Sequence, residues 1–116
     1  LYFIQINYSI DARESERRVL PLAKDLGMAV LINVPFGRGG VFRAARGKPL
    51  PEWAREFDAE SWGQFFLKFV LATPGVTAAI PSTTQPRHMT DNLGAGRGRL
   101  PDAAQKKRML ETFEKL

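Results

Sequence analysis

Apolar and polar residues alternate through the first ten positions: Tyr2, Ile4, Ile6, Tyr8 and Ile10 fall on one face, Gln5, Asn7 and Ser9 on the other. A period of two predicts a strand. Asp11 and Glu14 then stand at capping-box spacing, and Val19, Leu22, Ala23 and Leu26 recur at helical intervals until Gly27. A helix of about four turns is expected there. Met28 to Val34 is short, apolar and partly β-branched, the pattern of a strand covered on both faces. Two strands joined by one helix form a βαβ unit, so they should run parallel with a right-handed crossover.

Residues 36–57 read as a long basic loop rich in glycine and proline, with Arg38, Arg43, Arg46 and Lys48 among Gly37, Gly39, Gly40 and Gly47. Loops of that length in a compact domain tend to carry function. Asp58 is placed to cap a helix whose Trp62, Phe65, Phe66, Phe69 and Val70 form a broad apolar stripe, and Pro74-Gly75 ends it. Val76 to Ile80 is a third short strand, and Pro86 opens a helix to about Leu93. The last segment, with Asp102 and Gln105 as a capping pair and Met109, Leu110, Phe113 and Leu116 along one side, is an amphipathic helix. Three parallel strands alternating with helices predict an α/β fold whose sheet lacks partners at its edges. Such a sheet associates, or is part of something larger.

Composition narrows the chemistry. The 116 residues make one domain, and 17 Lys plus Arg against 12 Asp plus Glu leave a net charge of +5. With no cysteine, thiolate metal sites, disulfides and thiol nucleophiles are excluded, and a single histidine, His88, cannot build a multi-histidine metal site. The apolar runs are too short for a bilayer span and no secretion signal is seen, so a cytoplasmic protein that engages no membrane is expected. The basic balance raises the possibility of a nucleic-acid binder, but the arginines lie among glycines without interleaved aromatics, and no nucleic-acid partner is expected. Gly94-Ala95-Gly96-Arg97-Gly98 follows a helix instead of a strand, which excludes a dinucleotide-binding glycine fingerprint of the Rossmann type.

Three segments in order carry a resemblance: Gln5-Ile6-Asn7-Tyr8-Ser9, Asn33-Val34-Pro35-Phe36-Gly37-Arg38-Gly39, and Ala79 through Leu93, in which Asn92 lies eleven positions beyond Pro81. Together they resemble the last three strand–helix units of the (β/α)8 barrel of the aldo-keto reductases. The resemblance covers essentially the whole chain, so residues 1–116 are expected to be a C-terminal fragment, a partial TIM barrel of about three parallel strands plus a C-terminal helix. It implies a nicotinamide cofactor, NADP with NAD as the other candidate, held by Gln5, Asn33, Pro35, Phe36, Gly37, Arg38, Ile80, Ser82, Thr83, Thr84, Arg87, His88, Asp91 and Asn92. Within that set, the resemblance assigns Gln5 to the carboxamide, Phe36, Gly37 and Arg38 to the loop over the pyrophosphate, Arg87 and His88 to the adenosine ribose and its 2′-phosphate, and Asn92 to adenine. Taken without the family, Gln5 would more often merely satisfy buried neighbours, His88 would be an exposed helical histidine, and the glycine-arginine stretch an ordinary turn. Asn33 stands where the family commonly stacks an aromatic ring, and Ser82 and His88 where it often has a basic residue.

The family reduces carbonyls to alcohols with a tyrosine, lysine, aspartate and histidine carried by its first four strands, none of which this chain contains. No catalytic residue and no metal ligand is therefore assigned, a small carbonyl substrate is expected only in the complete barrel, and the chain alone is expected to be inactive. A complete barrel of this type needs about 250 residues. Two other readings stay open: a non-catalytic nucleotide- or anion-binding module and, less favoured, the basic nucleic-acid binder. With both sheet edges free, the chain is expected to form a homo-oligomer, most simply a two-fold dimer.

Overall fold

The computed structural model describes residues 2–81 and 85–116. Its sheet has three parallel strands in the order β1-β2-β3: β1 is Phe3–Asn7, β2 Ala29–Asn33 and β3 Ala78–Ile80. Among the described residues five α-helices accompany them: α1 (Val19–Asp25), α2 (Gly40–Ala45), α3 (Trp62–Leu71), α4 (Pro86–Gly94) and α5 (Ala103–Glu114). Among the described residues no helix is long and apolar enough to cross a membrane.

The register aligns Gln5 with Leu31 and Ala78 on one face of the sheet, and Asn7 with Asn33 and Ile80 two residues further along. The opposite face, carrying Ile4, Ile6, Val30, Ile32 and Ala79, packs into the hydrophobic core beneath the helices. Only one face of the sheet is covered. Phe3 and Ile80, on the other face, are 61% and 42% exposed.

Helix α3 fills the centre. Its residues from Gly63 to Val70 are all buried, as expected of a helix that is apolar nearly all round. Phe65 meets Trp53, Phe57, Trp62 and Phe66, with ring centroids 5.0 to 6.1 Å apart and mostly tilted or edge-on, the arrangement aromatic quadrupoles favour. The one cation in this helix, Lys68, is fully buried, and its ammonium donates to the carbonyls of Arg97 at 2.6 Å and Arg99 at 2.8 Å. Burial pushes its pKa down while nearby Asp58 opposes the shift. Asp58 pairs with Arg99 at 3.0 Å and accepts the Arg99 backbone N–H, which holds its carboxyl well below the usual carboxylate range. Gly98, at φ +75°, leaves the room this requires, since a Cβ there would stand 2.6 Å from the Asp58 carboxylate.

Several sequence expectations need correction. Asp58 does not cap α3: the Ser61 side chain does, accepting the Gln64 N–H at 3.1 Å. Asp11 does not open α1 either. An antiparallel bridge between Ser9 and Ala12 and a 3-10 turn at Glu14–Glu16 use up the approach, and α1 begins only at Val19, with seven residues in place of four turns. The face it buries is Leu20 and Ala23, while Val19, Leu22 and Leu26 look outward. Residues 36–57 are not one loop. They hold α2 and 3-10 turns at Gly37–Gly39 and Glu52–Phe57, because Val41, Ala45, Ala54 and Phe57 are apolar anchors that pull this basic segment into the core. Pro86 at the start of α4 and the Asp102–Gln105 capping box of α5 stand as anticipated.

If the aromatic cluster is the main apolar store of stability, Phe65→Ala should lower the unfolding free energy by about 3 to 5 kcal/mol, whereas Leu26→Ala at an exposed position should change it by less than about 0.5 kcal/mol. Urea denaturation followed by tryptophan fluorescence measures both, and similar midpoints for the two variants would contradict the cluster's primacy.

Candidate functional site

The C-terminal ends of the strands set the stage. Asn7, Asn33 and Ile80 lie in one registered row on the open face, with Gln5 one step back along β1. The Gln5 amide, which can both donate and accept, is exposed there. After β2 the backbone takes an unusual course: Val34 has φ 44° and Arg38 φ 55°, with Gly37 and Gly39 also left-handed. A β-branched residue in that region is strained, and strain of this kind concentrates at functional loops. The turn is tied by the Gly37 N–H to the Val34 carbonyl at 2.9 Å and the Gly39 N–H to the Phe36 carbonyl at 3.0 Å.

Two clefts adjoin along this loop. One of about 300 Å³ is lined by Pro35, Phe36, Arg38, Phe42, Ile80 and Pro81. The other, of about 540 Å³, lies between Phe36, Phe42 and Trp62 on one side and His88, Asp91 and Asn92 on the other. Phe36 and Phe42, with ring centroids 4.6 Å apart, form the wall they share, and Phe42 in turn meets Phe66 edge-on. Seven of the fourteen cofactor positions implied by the resemblance, Pro35, Phe36, Arg38, Ile80, His88, Asp91 and Asn92, line these clefts. Gln5 and Asn33 belong to the open sheet face beside the clefts, and Arg87 lies exposed outside them, its Nε donating to Gln85 Oε1 at 3.1 Å. Ser82, Thr83 and Thr84 fall outside the described residues.

Two positions are already occupied with structural work. Asp91 accepts the Ser61 hydroxyl at 2.7 Å, and Gln64 Nε2 donates to the Asp91 carbonyl at 3.0 Å and its carboxylate at 3.3 Å. This polar clasp docks α4, which has no fully buried residue of its own, onto α3. Gly63 and Gly94 permit the approach, since a Cβ on either would stand 2.9 Å from Asp91 Oδ2 or 2.4 Å from Gln64 Nε2 respectively. At Gly37 the space over the backbone is taken by Asp11: a Cβ there would lie 2.5 Å from both carboxylate oxygens, and Asp11 is itself hydrogen-bonded by the Ser9 hydroxyl. Sequence reasoning missed Asp11 and Phe42 at the site. Phe42 could have been noticed as an apolar residue stranded in a basic stretch, but nothing local in the sequence marks Asp11 as a neighbour of Gly37.

The sequence pattern of the Aldo/keto reductase family matches residues 1–108. This chain belongs to the aldo/keto reductase family. Among solved structures it is similar to a thermostable aldo-keto reductase, Tm1743, in complex with the inhibitor epalrestat, with a TM-score of 0.70 at 22% identity. That likeness covers 96% of this chain and 39% of the other, so the chain has the fold of part of the reductase (β/α)8 barrel and spans well under half the length of that relative. A search of the curated proteins finds no match.

The clasp makes a direct prediction. Asp91→Ala removes an acceptor from Ser61 and Gln64 and should cost about 1 to 3 kcal/mol locally. Hydrogen exchange should quicken in the amides of α4 while those of β2 keep their protection; unchanged α4 amides would mean that other contacts dock this helix.

Proposed function

We propose that this chain is the cofactor-binding C-terminal portion of an NAD(P)H-dependent aldo-keto reductase, comprising the last three strand–helix units of the barrel. The single observation that carries the reading is the registered row of Asn7, Asn33 and Ile80 on the open sheet face, with Gln5 beside it and the Phe36-walled clefts at its end. In a parallel barrel the strand C-termini face the ligand. The residues fit a dinucleotide: an amide for a carboxamide at Gln5, strained backbone with Arg38 beside a cleft for a pyrophosphate, and a second cleft bounded by His88 and Asn92 for the adenosine end. The Arg87 guanidinium, exposed on α4, supplies charge for a 2′-phosphate, which favours NADP over NAD.

When bound, the cofactor supplies a hydride to a carbonyl. This chain's residues orient and hold it, and Tyr8 is not placed as a proton donor: it is buried on the core side of the sheet, and burial followed by its hydrogen bond to Glu16 raises its pKa far above the usual phenol range. Carbonyl reduction then belongs to the complete barrel, with a small carbonyl compound as substrate, and the fragment alone is inactive. The alternative reading, a nucleotide- or anion-binding module without catalysis, rests on the same clefts.

Calorimetry at low salt should show weak, saturable binding of NADP+ or of adenosine 2′,5′-bisphosphate, with no NADPH oxidation in the presence of simple aldehydes. Arg87→Glu should weaken binding of both. Asp11→Asn should strengthen NADP+ selectively, because it removes a carboxylate from the backbone of Gly37 where the pyrophosphate would approach. Absence of saturable binding, or indifference to Arg87→Glu, would remove the reading.

We further propose that the chain alone associates with itself, since the sheet's uncovered face and free edges are templates for a second copy. Light scattering across a hundredfold concentration range should report a species above 13.0 kDa, and a constant monomer mass would refute self-association.

A further inference from the structure

On the side of the molecule away from the open sheet face, Lys106 of α5 projects toward the buried end of the chain that follows β1. Its ammonium donates to Thr73 Oγ1 at 2.7 Å and sits 4.6 Å from the centre of the Phe69 ring. Thr73 is buried, and its hydroxyl hydrogen goes to the Phe69 carbonyl at 2.9 Å, so toward Lys106 the oxygen acts as an acceptor only. An acceptor is satisfied by an N–H of either the ammonium or the neutral amine, and so it leaves the amine lone pair unblocked. Among the described residues no carboxylate pairs with Lys106 within 4.0 Å. The same side chain lines a cleft of about 420 Å³ whose walls are Leu20, Pro21 and Pro74 and whose rim carries Glu16 and Lys24.

We propose that this cleft is a carbonyl-capture site in which the Lys106 amine forms an imine with small apolar aldehydes. The lone pair of Nζ forms a bond to the carbonyl carbon, both amine hydrogens leave with the carbonyl oxygen as water, and no oxidant or reductant is needed. The apolar walls select a hydrocarbon chain, and the open rim admits it.

Burial lowers the Lys106 pKa; of the nearby charges Glu16 acts more strongly and raises it, while Arg13 lowers it. Tyr8, hydrogen-bonded to Glu16 and 3.3 Å from Thr73 Oγ1, stays a neutral phenol and adds no charge. Lys68 makes the internal contrast: its pKa is also lowered, but it is sealed between two carbonyls with no exposure. Lys24, Lys48, Lys107 and Lys115 are exposed and lack this desolvation.

The test treats the intact protein with hexanal near neutral pH, traps imines with cyanoborohydride and maps the modified lysines by peptide mass. Lys106 should be labelled several-fold faster than Lys107 and Lys115, and Lys68 should be unlabelled until the protein is denatured. Glu16→Gln should accelerate labelling at Lys106 and leave Lys107 unchanged, because it removes the charge that stabilises the ammonium. Lys106→Arg should abolish the fast phase; should that variant fold poorly, the site-resolved rates of the unaltered protein decide alone. Labelling at Lys106 no faster than at Lys107 and Lys115, or insensitivity to Glu16→Gln, would overturn the proposal.

Discussion

The burial of α3 is the constraint on which the rest of the structure depends. A three-stranded sheet covered on one face cannot enclose a core, so the apolar interior is built instead around a helix that the sheet, α2, α5 and the 3-10 turn at Glu52–Phe57 all touch. Four aromatic rings meeting Phe65 bury large area at little conformational cost. The same crowding forces Lys68 inward, and the fold answers by bending residues 97–99 so that two carbonyls receive its ammonium. Left without those acceptors, a cation at that depth would be far costlier than the apolar contacts around it could offset.

Helix α3 also places the site. Its Ser61 cap and Gln64 hold α4 through Asp91, and its Trp62 and Phe66 support the Phe36 and Phe42 wall of the two clefts. The clefts are therefore rigid on the side of α3. On the side of α4 they rest mainly on hydrogen bonds, which makes α4 the element whose position is most easily changed by substitution.

The two faces of the sheet lead to different chemistry from the same strand. Gln5 and Asn7 lie on the uncovered face of the sheet. Tyr8, only one residue beyond Asn7, is turned into the core and joins Thr73, Glu16 and Lys106. The period of a strand is what separates the open sheet face from an outer cleft carrying a partly desolvated amine.

Much of this was legible in the sequence. The alternation from Tyr2 to Ile10, the apolar Met28 to Val34 run and the Pro86 and Asp102 helix starts are local signals, and local signals determine strand and helix type and the parallel order. The three ordered motifs likewise determined the family, because each is a strand end followed by its loop. Where the sequence failed, the deciding contacts were distant: Asp58 finds Arg99 and Ser61 finds Asp91, while Asp11 folds onto Gly37, pairs separated by 26 to 41 positions. A capping residue and an ion-pairing residue are the same carboxylate until tertiary packing sets which donor comes within 3 Å. Tertiary structure likewise turned residues 36–57 from an apparent loop into α2 and its flanking turns, because the two apolar pairs there, Val41 with Ala45 and Ala54 with Phe57, are each too short a run among glycines and prolines to read as a helix and gain their meaning only from the core that receives them.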